Sequence, residues 1–223
     1  MTKQLNAVAT VLIILVSACS ESVALAQTTQ QVVTRPADVL KEGRRLIDQR
    51  RYEDAISRFK QYCLMRPHES NGYFWSGITY DEMGNYSASE KSYRDALLRA
   101  ENEGMDSAEI RTNLGNALLK QHKADEAIEE YKKANEVDPM YALAKLNLGR
   151  AYIEKGDGAS ALATLDKCGE LHFKGLHIKY YKAKALLLLG RKEEAGSLAK
   201  QLIMDLPDGA FKNDVRQEFS SII

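Results

Sequence analysis

After Pro36 the chain alternates between apolar and polar positions with a helical period. Apolar side chains recur at i, i+3, i+4 and i+7, which places them on one face of a 3.6-residue helix. Leu114, Ala117 and Leu118 begin one such stripe, and Ala127, Ile128, Tyr131 and Ala134 form the next. Short breaks carrying Gly or polar residues separate the runs in pairs, as in "EMGNY" at 82–86 and "EKGDG" at 154–158. The predicted element is therefore a helix–turn–helix hairpin, repeated along the chain.

The hairpins align without internal gaps. Gly43, Gly77, Gly115, Gly149 and Ala183 fall at one position, so the repeat spacing is 34, 38, 34 and 34 residues. Twelve residues further lie Ala55, Ser89, Ala127, Ala161 and Ala195, and four beyond those lie Phe59, Tyr93, Tyr131, Leu165 and Ala199. A Gly inside a helix costs about 1 kcal/mol against Ala, so its recurrence predicts a close helix crossing where a Cβ would clash, with large side chains filling the space beside it. Pro67, Pro139 and Pro207 are expected to close three of the second helices. The second repeat has Glu101 where a Pro would fall, followed by four extra residues, "GMDS" at 104–107. A lengthened helix and an exposed bend are expected there, with Asp106 capping the next helix and Glu109 reaching back to it. Beyond the fifth repeat, Phe211, Val215, Phe219 and Ile222 share one stripe, as a capping helix over 210–223 would require.

"NLGNAL…ADEAIEEYKKANEVDP" and "NLGRAYIEKGD" resemble the tetratricopeptide repeat, and five copies holding register carry the resemblance. It implies an all-α, right-handed α-solenoid of five hairpins (36–69, 70–103, 108–141, 142–175 and 176–209, the array covering 37–209) plus the C-terminal cap. First helices would line a concave groove and second helices its back. On the family pattern one groove row is Arg44, Ile78, Asn116, Arg150 and Lys184, and a row one turn earlier is Leu40, Phe74, Thr112, Leu146 and Tyr180. Such rows suit an extended or helical peptide with carboxylates on one side and apolar anchors on the other; the alternative is that they are ordinary solvated positions. The carboxylate clamp of co-chaperones is disfavoured, because the Lys–Asn pair that opens it is missing. The apolar tail "FSSII" leaves room for a homodimer through the end helices.

The first 36 residues lack this repeat. "MTKQLN" followed by the 12-residue apolar stretch "AVATVLIILVSA" is too short to span a bilayer as a helix and suits a signal peptide over 1–18. "VSAC" at 16–19 resembles the bacterial lipobox, which makes Cys19 the expected lipidation site, and Ser20 resembles the outer-membrane sorting pattern. Cleavage after Ala26 is the competing reading, and an uncleaved anchor the third. Residues 19–36 are read as a flexible linker ending in Pro36. The expected location is accordingly an outer-membrane-anchored lipoprotein facing the periplasm, or otherwise a soluble periplasmic protein. The membrane would be engaged by the lipid anchor alone.

Charge and chemistry narrow the function classes. With 31 basic and 31 acidic residues the formal net charge is zero, so no overall field invites nucleic acid. No phosphate loop, "HExxH", "CxxC" or nucleophile elbow occurs, and no cofactor is expected. Cys168, His172 and His177 lie close in sequence but supply only three ligands for zinc. Cys63 and Cys168 fall near the slot of Ala96 and Ala134 and read as small buried residues; three repeats apart, they are too distant for a disulfide. The expected function is a non-enzymatic interaction scaffold in the bacterial envelope, resembling repeat lipoproteins of pilus or secretin assembly. The alternatives are an adaptor of periplasmic cell-wall enzymes or proteases, and a zinc-dependent enzyme.

Overall fold

The recurring turn after each first helix sets the architecture. Gly84, Gly156 and Gly190 adopt φ of 71°, 83° and 73°, and Arg50 and His122 occupy the equivalent positions at 58° and 62°. Each is the left-handed residue that ends a helix and lets the chain reverse. The following amide then donates to the carbonyl five residues back, in register: Arg51 to Leu46, Asn85 to Tyr80, Lys123 to Leu118, Asp157 to Tyr152 and Arg191 to Leu186.

In this computed structural model residues 35–102, 106–170 and 175–223 are described. The expected signal peptide, Cys19 and most of the linker lie outside them. Among the described residues there are eleven helices: α1 (Pro36–Asp48), α2 (Tyr52–Met65), α3 (Asn71–Glu82), α4 (Tyr86–Asn102), α5 (Ala108–Lys120), α6 (Ala124–Val137), α7 (Ala142–Glu154), α8 (Gly158–Glu170), α9 (Leu176–Leu188), α10 (Lys192–Asp205) and α11 (Ala210–Glu218). They form an α-solenoid of five hairpins, α1–α2 to α9–α10, closed by α11. Val39–Ile223 cluster as one compact unit. Of the preceding unit only Arg35–Asp38 are described; Arg35 pairs with Asp38 at 2.8 Å. No described helix is long and apolar enough to cross a membrane.

Within four hairpins the small residue meets the large one. A Cβ on Gly43, Gly77 or Gly115 would lie 2.5 Å from a ring carbon of Phe59, Tyr93 or Tyr131, and one on Gly149 would lie 2.6 Å from Cγ of Leu165. In the fifth hairpin both partners are Ala, Ala183 and Ala199, each fully buried. The smaller second-helix residue leaves room for the Cβ that Gly omits elsewhere. Side chains from neighbouring hairpins merge into shared cores. The largest joins Phe74, Tyr93, Leu97, Leu114, Leu118 and Tyr131 with Leu148 and Ala151. Helices α2, α6 and α10 each end two residues before Pro67, Pro139 and Pro207.

The insertion differs from expectation in its cap. Ser107, not Asp106, is the N-cap of α5, its Oγ accepting from the Ile110 amide at 3.3 Å. Asp106 is drawn instead to Arg111 at 2.6 Å. Arg111 also holds Glu101 and the buried Glu130, both at 2.9 Å. Burial opposes the Arg111 charge, but its carboxylate partners outweigh that and raise its pKa.

At the C-terminal end, α11 stops at Glu218 and the last residues turn back rather than continuing the helix. Val215 and Phe219 are fully buried, with Phe211 and Ile222 packed beside them. Gly196 lies directly against the Ile222 backbone, where a Cβ would collide. The tail "FSSII" thus spends Phe219 and Ile222 on its own chain, while Ile223 stays exposed.

Candidate interaction groove

The first helices α1, α3, α5, α7 and α9 carry Arg44, Ile78, Asn116, Arg150 and Lys184 at equivalent positions, one residue beyond the crossing Gly or Ala. At three of these positions the side chain engages the next helix along that face. The Arg44 guanidinium stacks over Trp75 of α3, 4.3 Å from the ring centroid. Asn116 Oδ1 accepts from Asn147 Nδ2 of α7 at 3.0 Å, and from the Tyr131 hydroxyl at 2.8 Å. Lys184 pairs with Glu218 of α11 at 2.8 Å. Ile78 is half-buried against the central core. Arg150 is half-exposed and pairs with Glu154 one turn on, at 3.0 Å.

The row expected one turn earlier is core rather than groove. Phe74, Thr112 and Leu146 are buried. Thr112 donates to the Ala108 carbonyl at 2.7 Å, and Leu146 packs with Leu165, Cys168 and Ile178. Leu40 is half-buried against the first hairpin's core. Tyr180 is edge-on to Phe211 and Phe219 and donates to Glu218 at 2.6 Å. The cap therefore engages both Tyr180 and Lys184, and the expected alignment of carboxylate-binding cations beside apolar anchors does not form.

What forms instead is a groove of about 500 Å³ across α3, α5 and α7. Asn116, Asn147, Arg150 and Lys120 line one part of it, with Asp81 and Glu82 opposite. Asn147 stands three residues before Arg150, Lys120 four after Asn116, and Glu82 four after Ile78, so all share the face of the first row. Extending that row one turn toward the helix C-terminus would have found Lys120 and Glu82; toward the N-terminus the groove is reached at i−3, as at Asn147, and the core at i−4, as at Leu146.

The groove's polar groups are held in place. Because Asn116 Oδ1 accepts two hydrogen bonds, its amide N–H groups and the Asn147 carbonyl oxygen are left for a ligand. Asp81 accepts from Ser89 Oγ at 2.5 Å and Tyr93 OH at 2.8 Å. Burial raises the Asp81 pKa, while those two donors act against the shift. Burial, with the Asp81 charge adding to it, pushes the Tyr93 hydroxyl pKa up, so it remains a donor. The groove presents amide donors and acceptors and both signs of charge, a set suited to recognising a peptide. The zinc candidates do not assemble among the described residues. Cys168 is buried with its thiol pKa raised by that burial, His177 is stacked near Phe211, and His172 lies outside the described residues.

Known proteins bear on this geometry. Family models described as "Tetratricopeptide repeat" match residues 118–172 and, with a second model, 40–104 and 76–135. The photosystem I assembly protein Ycf3 of Prochlorococcus marinus subsp. pastoris is 30% identical over 95 residues, which are 43% of this chain and 54% of that protein. This chain thus spans about half the length of the curated relatives it matches. Among solved structures, Pseudomonas aeruginosa pilF superposes with a TM-score of 0.69 at 15% identity, covering 84% of this chain and 83% of that one. YrrB, described as a repeat protein with an unusual peptide-binding site, superposes with a TM-score of 0.67 at 16% identity, covering 87% and 98%. At these identities the two superpositions speak for the fold alone.

Proposed function

The chain belongs to the tetratricopeptide-repeat family, whose members bind protein partners, and we propose that it is a non-enzymatic scaffold that holds a partner peptide in the groove across α3, α5 and α7. The observation that carries this is the Asn116–Asn147 pair. Its unused donor and acceptor can meet a peptide group, while Lys120 and Arg150 opposite Asp81 and Glu82 select side chains of both signs. An assembly role agrees with the Prochlorococcus relative's being a photosystem I assembly protein. The reading places the protein in the bacterial envelope, tethered through Cys19, on the strength of the lipobox-like "VSAC".

The test is affinity purification from cross-linked host membranes, comparing wild type with Asn147→Ala/Arg150→Glu. Both residues are partly exposed, so helical content and melting should hold while the recovered partner is lost. Recovery of the same proteins by the variant overturns the groove assignment. Secretin or pilus subunits among the wild-type partners would support the pilus-type reading; cell-wall enzymes or proteases would move it to an envelope adaptor. Mass analysis of the N-terminus in the same sample decides the tether: a lipidated Cys19 supports it, and a chain beginning at Gln27 overturns it.

A further inference from the structure

A second hollow lies on the other helices. Between α2 and α4, floored by α3, is a cleft of about 790 Å³. Its apolar lining includes Ile56, Cys63, Pro67 and Tyr73, and Lys60 and Lys91 stand on its two walls. Leu64 at its edge is 85% exposed, and Leu98 at the equivalent place on α4 is 54% exposed.

The next interval, between α4 and α6, shows what the cleft lacks. There the equivalents of Ile56, Pro67, Tyr73 and Ser92 are Glu90, Glu101, Arg111 and Glu130. Those residues fill the space with pairs: Arg111 with Glu101 and Glu130, both at 2.9 Å, and Glu90 with Lys123 at 2.8 Å. The equivalent of Lys60 is Arg94, which crosses to Glu126 of the facing helix at 3.1 Å. In the first interval the residue equivalent to Glu126 is Ala88. Arg99 of α4 donates to the Pro67 carbonyl just beyond α2 at 3.2 Å, lies over the Tyr73 ring and pairs with Asp95, the one carboxylate lining the cleft. Among the described residues no hydrogen bond or ion pair joins α2 itself to α4, and neither Lys60 nor Lys91 has an ionic partner.

We propose that this cleft is a second docking site, for a segment of a partner protein that supplies the missing carboxylate to Lys60 and an apolar side chain to the hollow beside Tyr73. The apolar lining accounts for the anchor and the absent Glu126 equivalent for the charge. The scaffold then holds two chains at once, one on its first helices and one on its second.

The experiment is selection of random twelve-residue displayed peptides on the full chain, depleted on a Lys60→Glu/Lys91→Glu variant. Enriched peptides should combine Asp or Glu with large apolar residues. Their affinity, measured by fluorescence anisotropy, should fall at least about tenfold on Lys60→Glu and also on Ala88→Glu, which supplies the internal acid of the next interval. Circular dichroism confirms that both variants fold, and Asn147→Ala/Arg150→Glu should bind these peptides as wild type does. No enrichment, peptides without acidic residues, or equal binding to Lys60→Glu overturns the proposal. So does loss of binding in the Asn147/Arg150 variant, which would locate the peptides in the other groove; loss of partner there with peptide binding intact would bear on that groove alone.

Discussion

Glu218 of the terminal helix reaches both Lys184, at 2.8 Å, and the Tyr180 hydroxyl, at 2.6 Å. One carboxylate thus fastens the cap to the last hairpin through two residues one helical turn apart. Lys184→Glu sets two carboxylates together and should lower stability by about 0.5–1 kcal/mol, the scale of a half-exposed pair. Adding Glu218→Lys should recover most of that. Urea midpoints of the two singles and the double decide it: a double no better than its worse parent would show that the pair does not fasten the cap.

The crossing in the fourth hairpin should behave as a volume exchange. Gly149→Ala overpacks against Leu165 and should cost about 1–3 kcal/mol. Leu165→Ala opens a cavity and should cost about 2–5 kcal/mol. The double recreates the Ala183–Ala199 pairing of the fifth hairpin, so its loss should fall below the sum of the singles. Simple additivity in thermal or urea denaturation would rule out direct contact as the source of the losses.

Two turns carry avoidable strain. Arg50 and His122 sit at φ of 58° and 62°, where the other three turns have Gly. A left-handed conformation costs an L-residue roughly 1–2 kcal/mol, partly offset by the greater freedom Gly gives the unfolded chain. Arg50→Gly and His122→Gly should each raise the melting temperature; a lowered value for either would mean its side chain supplies more than the turn costs.

Asp81 gives an acid-side signature. Its folded pKa is raised by burial despite the hydroxyls of Ser89 and Tyr93, so the folded state binds the proton more tightly than the unfolded chain. This group's contribution therefore rises as pH falls through the raised folded pKa toward the ordinary carboxylate value, and is absent well above it. Asp81→Asn should remove that component. It should flatten stability against pH in the range just above the ordinary carboxylate value, read as the urea midpoint at each pH; unchanged slopes would assign the dependence to other groups.

The hairpins were legible because their signal is redundant. Gly77 against Tyr93 and Gly115 against Tyr131 repeat one steric solution at a fixed spacing, and each copy vouches for the others. The groove was legible only along one row. Phe74, Thr112 and Leu146 occupy the same register as Tyr180, and nothing in spacing alone tells which side of a tilted helix faces its neighbour. The choice of Ser107 over Asp106 as the cap was hidden for another reason. Arg111, which takes Asp106 away, is one basic residue among many until the fold brings Glu130 from the following helix beside it.

That same Arg111 holds Glu101 just before the four-residue insertion and Asp106 within it. The two ends of the segment are thereby fixed to one guanidinium, whatever lies between. Loop-closure entropy grows only slowly with length, so the docking of the third hairpin on the second rests on these pairs and on the shared core more than on the length of chain between Glu101 and Asp106. The guanidinium works as a rivet through the seam between the second and third hairpins, gathering carboxylates from α4, from the segment just before α5 and from α6 at one point.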